Sequence, residues 1–138
     1  MIDSFRGEYA FLSNFYSAGV MLDGMYFPTV EHAFQAAKTY DINARKSIAV
    51  ARTPGEAKRM GKTVLLRDDW ESVKCQVMLE LLRQKFSKSL LKSKLLATGS
   101  EELVEGNNHK DSFWGVYRGQ GKNMLGQLIM QVRKELSE

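Results

Sequence analysis

Glu31 is the first residue in the chain whose type and surroundings suggest chemistry. It lies two positions after Thr29, a helix-capping residue type, in the run Val30-Glu31-His32-Ala33-Phe34-Gln35-Ala36-Ala37-Lys38. On a helix, Gln35 follows four residues on and Lys38 seven. The three share one polar stripe, with Val30, Phe34 and Ala37 as the apolar face beside it. A carboxylate in such a stripe can orient a water or stabilise positive charge. An ordinary reading competes with this one: an exposed Glu in a first turn complements the helix dipole, worth about 0.3–1 kcal/mol. Read as an exposed group, Glu31 is expected to change to Gln with little movement in melting. His32 adjoins it, but the chain has two histidines and no His-Glu-x-x-His spacing, so no metal site is expected.

Three other segments invite attention. The loop Gly106-Asn107-Asn108-His109-Lys110-Asp111-Ser112-Phe113-Trp114-Gly115 sets amides, a carboxylate and two aromatics between glycines. The aromatics are either core plugs or a stacking platform for a flat base. Trp70 follows Asp68-Asp69 at a helix start, where it anchors the helix or lines a pocket. Gly119-Gln120-Gly121-Lys122-Asn123 runs straight into the last helix. Free N–H groups at such a start suit a phosphate, although the spacing is not the dinucleotide fingerprint. Cys75 has no histidine nearby in sequence and reads as a small core residue.

The elements that must position these residues are mostly helical. Val20 to Phe27 places Asp23-Gly24 between apolar runs, the signature of a tight hairpin. Thr29 caps a helix to about Lys38, and Asp41 a second to about Arg52. Thr53-Pro54-Gly55-Glu56 is a capping-box pattern with proline at the first helical position. Asp69 is expected to cap the longest helix, Trp70 to about Phe86, with Val73, Val77, Leu81 and Leu82 along one face. Ser87 to Thr98 reads as another helix, closed by Gly99. Leu103-Val104 is strand-like, 106–121 mostly loop, and Lys122 to Leu136 a final amphipathic helix. The expected core contains Phe34, Val77, Leu81, Leu95, Leu125 and Ile129. The fold class is mainly α (α+β): one compact domain, 1–138, with a small antiparallel hairpin near the N-terminus.

Composition bounds the function. The 138 residues carry 43% hydrophobic and 26% charged residues, ordinary globular proportions that exclude disordered and fibrous classes. A single cysteine excludes an internal disulfide and multi-thiolate zinc sites. No leader is read in the first six residues and no stretch is apolar enough to cross a membrane, so a cytoplasmic protein is expected. The net charge of +4 is uneven: Lys38 to Lys94 holds fourteen Lys/Arg against six Asp/Glu. A basic half attracts phosphate-bearing partners or simply solvates helix faces.

Taken in order, several blocks resemble the YbiA-like proteins of the NADAR superfamily. They include Phe5–Phe15, Asp23–Lys38, Ala57–Gly61, Asp69–Met78, Lys85-Phe86, Leu95–Gly99, Leu103–Glu105, Asp111–Gly115 and Gly119–Gly126. The series covers nearly the whole chain. The resemblance implies a compact, mainly helical fold and an N-glycosidase without metal or redox cofactor. Family members cleave ribose 5-phosphate from early riboflavin-pathway intermediates, and others remove ADP-ribose from guanine bases. The family's acidic and aromatic site residues fall on Glu31, Trp70, Asp111 and Trp114, expected to converge in one pocket. Asn14, Gln35, Lys38, Arg59, Lys74 and Asn123 follow as pocket residues.

On this resemblance Glu31 is the base and charge stabiliser, and Asp111 positions water or ribose hydroxyls. The two tryptophans flank the leaving base. Basic residues and the Gly119–Asn123 turn, with Gly121 and Asn123, hold the phosphate. The implied partner is a small phosphorylated ribosyl substrate, or ADP-ribosylated guanine in a nucleotide or nucleic acid. Two readings from other classes remain: a non-catalytic module binding ADP-ribose or a nucleotide, and a nucleic-acid binder using the basic half.

Overall fold

Thr29 is where the chain changes from strand to helix. Its backbone is still extended (φ −144°, ψ 162°), and its hydroxyl oxygen accepts the His32 amide at 3.0 Å. In the computed structural model, which describes all 138 residues, this cap starts α1, Val30–Ala37. Every residue of α1 is buried, including Glu31, His32 and Gln35. The hairpin before it pairs β1 (Val20–Leu22) with β2 (Met25–Phe27) antiparallel. Asp23 and Gly24 at its turn both have positive φ, 49° and 82°, as a primed two-residue turn requires.

The backbone contacts divide the chain into two compact units. One, Asn14–Lys85, holds the hairpin and four helices: α1, α2 (Ile42–Ala49), α3 (Pro54–Gly61) and α4 (Trp70–Lys85). Here α1 packs against α2, α3, α4 and both strands. The Asp41 and Thr53 side chains cap α2 and α3 as expected. Arg45 ties α2 to the hairpin turn, donating to Asp23 at 2.7 Å and to the Thr39 carbonyl at 2.7 Å.

Several boundaries differ from the expected ones for local reasons. Helix α2 stops at Ala49, not near Arg52, and His32 Nε2 takes the Ala51 carbonyl just beyond its end. Asp69 does not cap α4 with its side chain, because both its oxygens are held by the Arg67 guanidinium at 2.6 and 3.0 Å. Val77 is only half-buried. The inward face of α4 is instead Trp70, Met78, Leu79, Leu81, Leu82 and Lys85.

The other unit joins Met1–Ser13 to Phe86–Glu138. It contains a 3-10 helix over Gly7–Leu12, α5 (Ser89–Ala97) and α6 (Met124–Ser137). Gly99, in the left-handed region at φ 63°, ends α5. Ile2 bridges Leu103 in parallel fashion. Within the expected loop, β3 (Gly106–Asn107) and β4 (Val116–Tyr117) form a two-residue parallel pair. Leu95, Leu125 and Ile129 are buried here, as Phe34 and Leu81 are in the first unit. The fold is thus mainly helical with a small antiparallel sheet near the N-terminus. No helix is long and apolar enough to cross a membrane.

Thr53 tests the local logic of these elements. Its Oγ1 accepts the Glu56 amide at 3.0 Å at an exposed site. Thr53→Ala is expected to cost about 1 kcal/mol in urea unfolding, with an unchanged m-value.

Candidate active site

Glu31 sits in the first turn of α1 and is 8% exposed. That burial argues against a solvated dipole partner. Its amide donates to the Asn14 carbonyl at 3.1 Å, and its Oε2 accepts from Gln35 Nε2 at 2.7 Å, one helical turn on. Burial pushes the carboxyl above its ordinary value. The Gln35 hydrogen bond and the charges of Lys58, Lys38 and His32 oppose this without cancelling it.

Two buried acceptors on residues that bond to Glu31 have no donors of their own. Gln35 is 5% exposed and its Oε1 has no partner. Asn14 is 8% exposed; it spends Nδ2 on Met78 Sδ at 3.5 Å, and its Oδ1 has no partner. Buried polar atoms normally find partners, so orphans beside a buried carboxylate suit a ligand that brings donors. Gly61 makes the arrangement possible. A Cβ there would overlap Gln35 Oε1, so α3 can lie on α1 at this point only through glycine.

Basic groups complete the site. Lys38, the C-cap of α1, is half-buried. Its ammonium is pulled below its ordinary value by burial. Glu31 pulls it back up, while Lys58, Lys62 and Lys74 press it further down. Lys74 is held by Glu71 at 2.7 Å. Arg59, expected in the pocket, is exposed; its neighbour Lys58 is the α3 residue that acts on Glu31. Lys58 and Lys62 were not singled out in the sequence, yet a signal was there. Ala57 and Gly61, four apart, form the buried face of α3, and the two lysines follow one position after each.

Trp70 is 5% exposed and packs on Phe34, with ring centroids 5.0 Å apart. This contact fastens the start of α4 to α1. His32 uses both ring nitrogens, Nδ1 at 2.7 Å from the Thr29 hydroxyl and Nε2 at 3.0 Å from the Ala51 carbonyl. No group of three or more His, Cys, Asp or Glu side chains converges in a way that could hold a metal. A cavity of about 400 Å³ lies beyond the end of α1, lined by Tyr40, Leu65, Leu66 and Arg67 among others. None of the expected site residues lines it.

Asp111 and Trp114 share one turn in the other unit. Asp111 Oδ1 accepts the amides of Phe113 at 3.2 Å and Trp114 at 2.9 Å. Asn107 braces the turn, accepting the Asp111 amide and donating to the Asp111 carbonyl. One carboxylate oxygen therefore builds the turn that presents Trp114, which is half-buried and set edge-on to Phe113 at 4.9 Å.

The glycine-led start of α6 does not offer the free N–H groups expected there. The amides of Lys122, Asn123, Met124 and Leu125 donate to the carbonyls of Ser112, Gly115, Phe113 and Trp114. Gly121, at φ 150°, has its Cα against the Gly115 carbonyl, where a Cβ would clash. The Asn123 side chain donates to the Leu103 carbonyl and accepts the Glu105 amide, both at 2.9 Å. Gly121 and Asn123 thus hold backbone together, and the amides that would have cradled a phosphate are spent.

The NADAR domain family model matches residues 4–137, a span that includes both units. The chain belongs to the NADAR domain family. The N-glycosidase YbiA of Escherichia coli K12 is 42% identical over 134 residues, covering 94% of this chain and 83% of that protein. The riboflavin biosynthesis protein VVA0006 of Vibrio vulnificus is 37% identical over 135 residues, covering 95% of this chain and 36% of that protein. The NMR structure of Escherichia coli YbiA superposes with a TM-score of 0.85 at 41% identity, covering 99% of this chain and 87% of that one. Glu31, Trp70, Asp111 and Trp114 all fall inside the span matched to the NADAR family.

The burial of Glu31 reverses the expectation that its loss leaves melting unmoved. Native Glu31 holds its proton to higher pH than the unfolded residue does. Between the two values the native state binds more protons, and stability falls as pH rises. Glu31→Gln carries no such titration. The variant is expected to melt above the wild type at pH 7, with the gap closing as pH falls through the raised native value toward 4.5 in calorimetric scans.

Proposed function

We propose that this chain is an N-glycosidase that hydrolyses the ribosyl C–N bond of phosphorylated ribosylamino-pyrimidine intermediates of riboflavin biosynthesis, releasing ribose 5-phosphate. The names of its relatives support the reaction class. The observation that carries the reading is a carboxylate buried in α1 and hydrogen-bonded by Gln35, with Gln35 Oε1 and Asn14 Oδ1 buried and unpartnered.

The chemistry follows from those groups. Breaking the C–N bond builds positive charge on the anomeric carbon, as in glycoside hydrolysis. Ionised Glu31 stabilises that charge from a site water does not screen, where electrostatic stabilisation is strongest. It also accepts a proton from the attacking water. The water oxygen forms the new bond to carbon, and the base departs with the bonding pair and takes up the proton that Glu31 received, so that the one water supplies both the sugar hydroxyl and the proton of the released amine. A carboxyl raised above its ordinary range is a better base near neutrality than an exposed one. The orphan acceptors on Gln35 and Asn14 receive the sugar's hydroxyl donors. In the other unit, Asp111 holds the turn that carries the half-buried Trp114.

The test is an assay of ribosylamino-pyrimidine phosphates beside ADP-ribosylated guanosine. Release of ribose 5-phosphate from the former is expected. Exclusive release of ADP-ribose from the latter moves the substrate assignment to guanine, and release of neither leaves a binding module. Glu31→Gln is expected to lower turnover at least about a hundredfold while substrate still binds. Near-normal turnover by this variant removes Glu31 from the mechanism.

Asp111 gives a separate prediction. Asp111→Asn keeps an oxygen to accept the Phe113 and Trp114 amides, whereas Asp111→Ala does not. If the residue acts through its turn, the Asn variant retains most activity and the Ala variant raises KM. If its charge is needed, both lose kcat alike.

A further inference from the structure

Two contacts dock α3 and α4 on the same stretch of α1. Gly61 of α3 lies against Gln35, and Trp70 of α4 against Phe34. Lysines lie near each contact: Lys58 three residues before Gly61 and Lys62 directly after it, and Lys74 four residues after Trp70. Lys38 stands one turn after Gln35 and Phe34, and its side chain leans back along α1 because helical Cα–Cβ bonds tilt toward the N-terminus. Lys58, Lys62 and Lys74 therefore all act electrostatically on Lys38, and Lys38 and Lys58 act on Glu31. Lys38, Lys58 and Lys62 make no ion pair, and Lys74 is paired with Glu71.

Like charges gathered this way repel. Burial is the main reason the Lys38 ammonium lies below its ordinary value, and Lys58, Lys62 and Lys74 press it the same way against the pull of Glu31. Against the four lysines stand the carboxylates of Glu31 and Glu71. The surplus is two positive charges, which matches the roughly −1.5 to −2 charge of a phosphate monoester near pH 7. Within the stripe, one turn before Lys38, Gln35 Oε1 is a buried acceptor without a donor, and so is Asn14 Oδ1. A ligand that suits the lysines and these acceptors carries a dianion and hydroxyl donors on one short frame.

We propose that Lys38, Lys58 and Lys62, with Lys74 beside them, form the phosphate-recognition site of this protein and hold the 5-phosphate of the ribosyl group whose glycosidic bond Glu31 serves. The proposal rests on the N-glycosidase reading and adds to it the group that selects phosphorylated sugars. It takes the place of the Gly119–Asn123 turn, whose amides are occupied. Phosphate held at the Lys38 end of the stripe sets the position of the anomeric carbon, so these are specificity-determining residues.

The test is calorimetric titration of the full chain with ribose 5-phosphate, ribose, ADP-ribose and inorganic phosphate. Lys58→Gln, Lys62→Gln, their double variant and Lys92→Gln on the exposed side of α5 are compared, with melting curves to check folding. Ribose 5-phosphate is expected to bind far more tightly than ribose, more weakly as salt rises. Each single variant should weaken it roughly tenfold and the double variant roughly a hundredfold, while Lys92→Gln matches the wild type. Glu31→Gln, which removes a negative charge beside the lysines, should bind ribose 5-phosphate at least as tightly while losing hydrolysis.

Equal binding of ribose 5-phosphate by the wild type and the folded double variant overturns the proposal. So does equal binding of ribose and ribose 5-phosphate. Lysine-dependent binding of ADP-ribose alone makes the held anion a diphosphate and overturns the monoester assignment. The N-glycosidase reading fails separately: lysine-dependent binding of ribose 5-phosphate without any ribosyl hydrolysis refutes that reading and keeps the phosphate site. Hydrolysis indifferent to the 5-phosphate does the reverse.

Discussion

A carboxylate placed where water does not reach it is the constraint on which the Asn14–Lys85 unit depends. Glu31 lies on a helix buried along its whole length, so its charge must be met by the protein or surrendered. Gln35 supplies one hydrogen bond from the next turn and Asn14 receives the residue's amide. Lys58 and Lys38 supply field from α3 and from the end of α1. These terms leave the carboxyl above its ordinary value, so the ionised form is held at a cost in stability. Such a cost is tolerated where the charge serves a reaction rather than the fold.

The helices around α1 are docked in ways that serve the same group. Glycine at position 61 lets α3 approach Gln35 closely enough to bring Lys58 within electrostatic reach of Glu31. Phe34 and Trp70 do the equivalent for α4, and Lys74 follows one turn later. Thr29 caps α1 and also contacts His32 Nδ1, which turns the other ring nitrogen toward the Ala51 carbonyl after α2. His32 adjoins the catalytic candidate in sequence, yet its ring is committed to joining α1 to the end of α2. A second buried cation, Lys85 at the end of α4, is pulled down to about 7 by desolvation, with the Tyr16 ring 5.7 Å from its Nζ.

In the other unit, polar side chains that look like ligands in the sequence prove to be joints of the backbone. Asn123 joins the start of α6 to the 103–105 segment, and Asp111 spans the turn ahead of Trp114. Four successive amides that a free helix end would present to an anion instead meet the carbonyls of residues 112–115. The loop of 108–115, with its two aromatics, keeps its shape through these bonds.

Much of the architecture was legible in the chain because it is written in local rules. Asp23-Gly24 gave the hairpin through its tolerance of positive φ, Thr29, Asp41 and Thr53 gave helix starts through their oxygens, and Gly99 gave a helix end. The order of the blocks from Phe5 to Gly126 carried the family. Where local rules compete, the sequence was silent: Asp69 could cap or pair, and Arg67 two residues away decided it. Val77 and Met78 share an apolar character, and only the packing of α4 chose Met78 for the core. Glu31 could be named from its stripe with Gln35 and Lys38, but not its burial, which depends on α2, α3 and α4 closing over α1. Lys58 rather than Arg59 faces it because Ala57 and Gly61 set the rotation of α3. The order of residues along the chain determines caps, turns and periodicity, since these are interactions over four or five residues. Which charges share a space is decided by helices that meet far apart in sequence, and there a shift of one position, from Arg59 to Lys58, separates an exposed side chain from one beside the carboxylate.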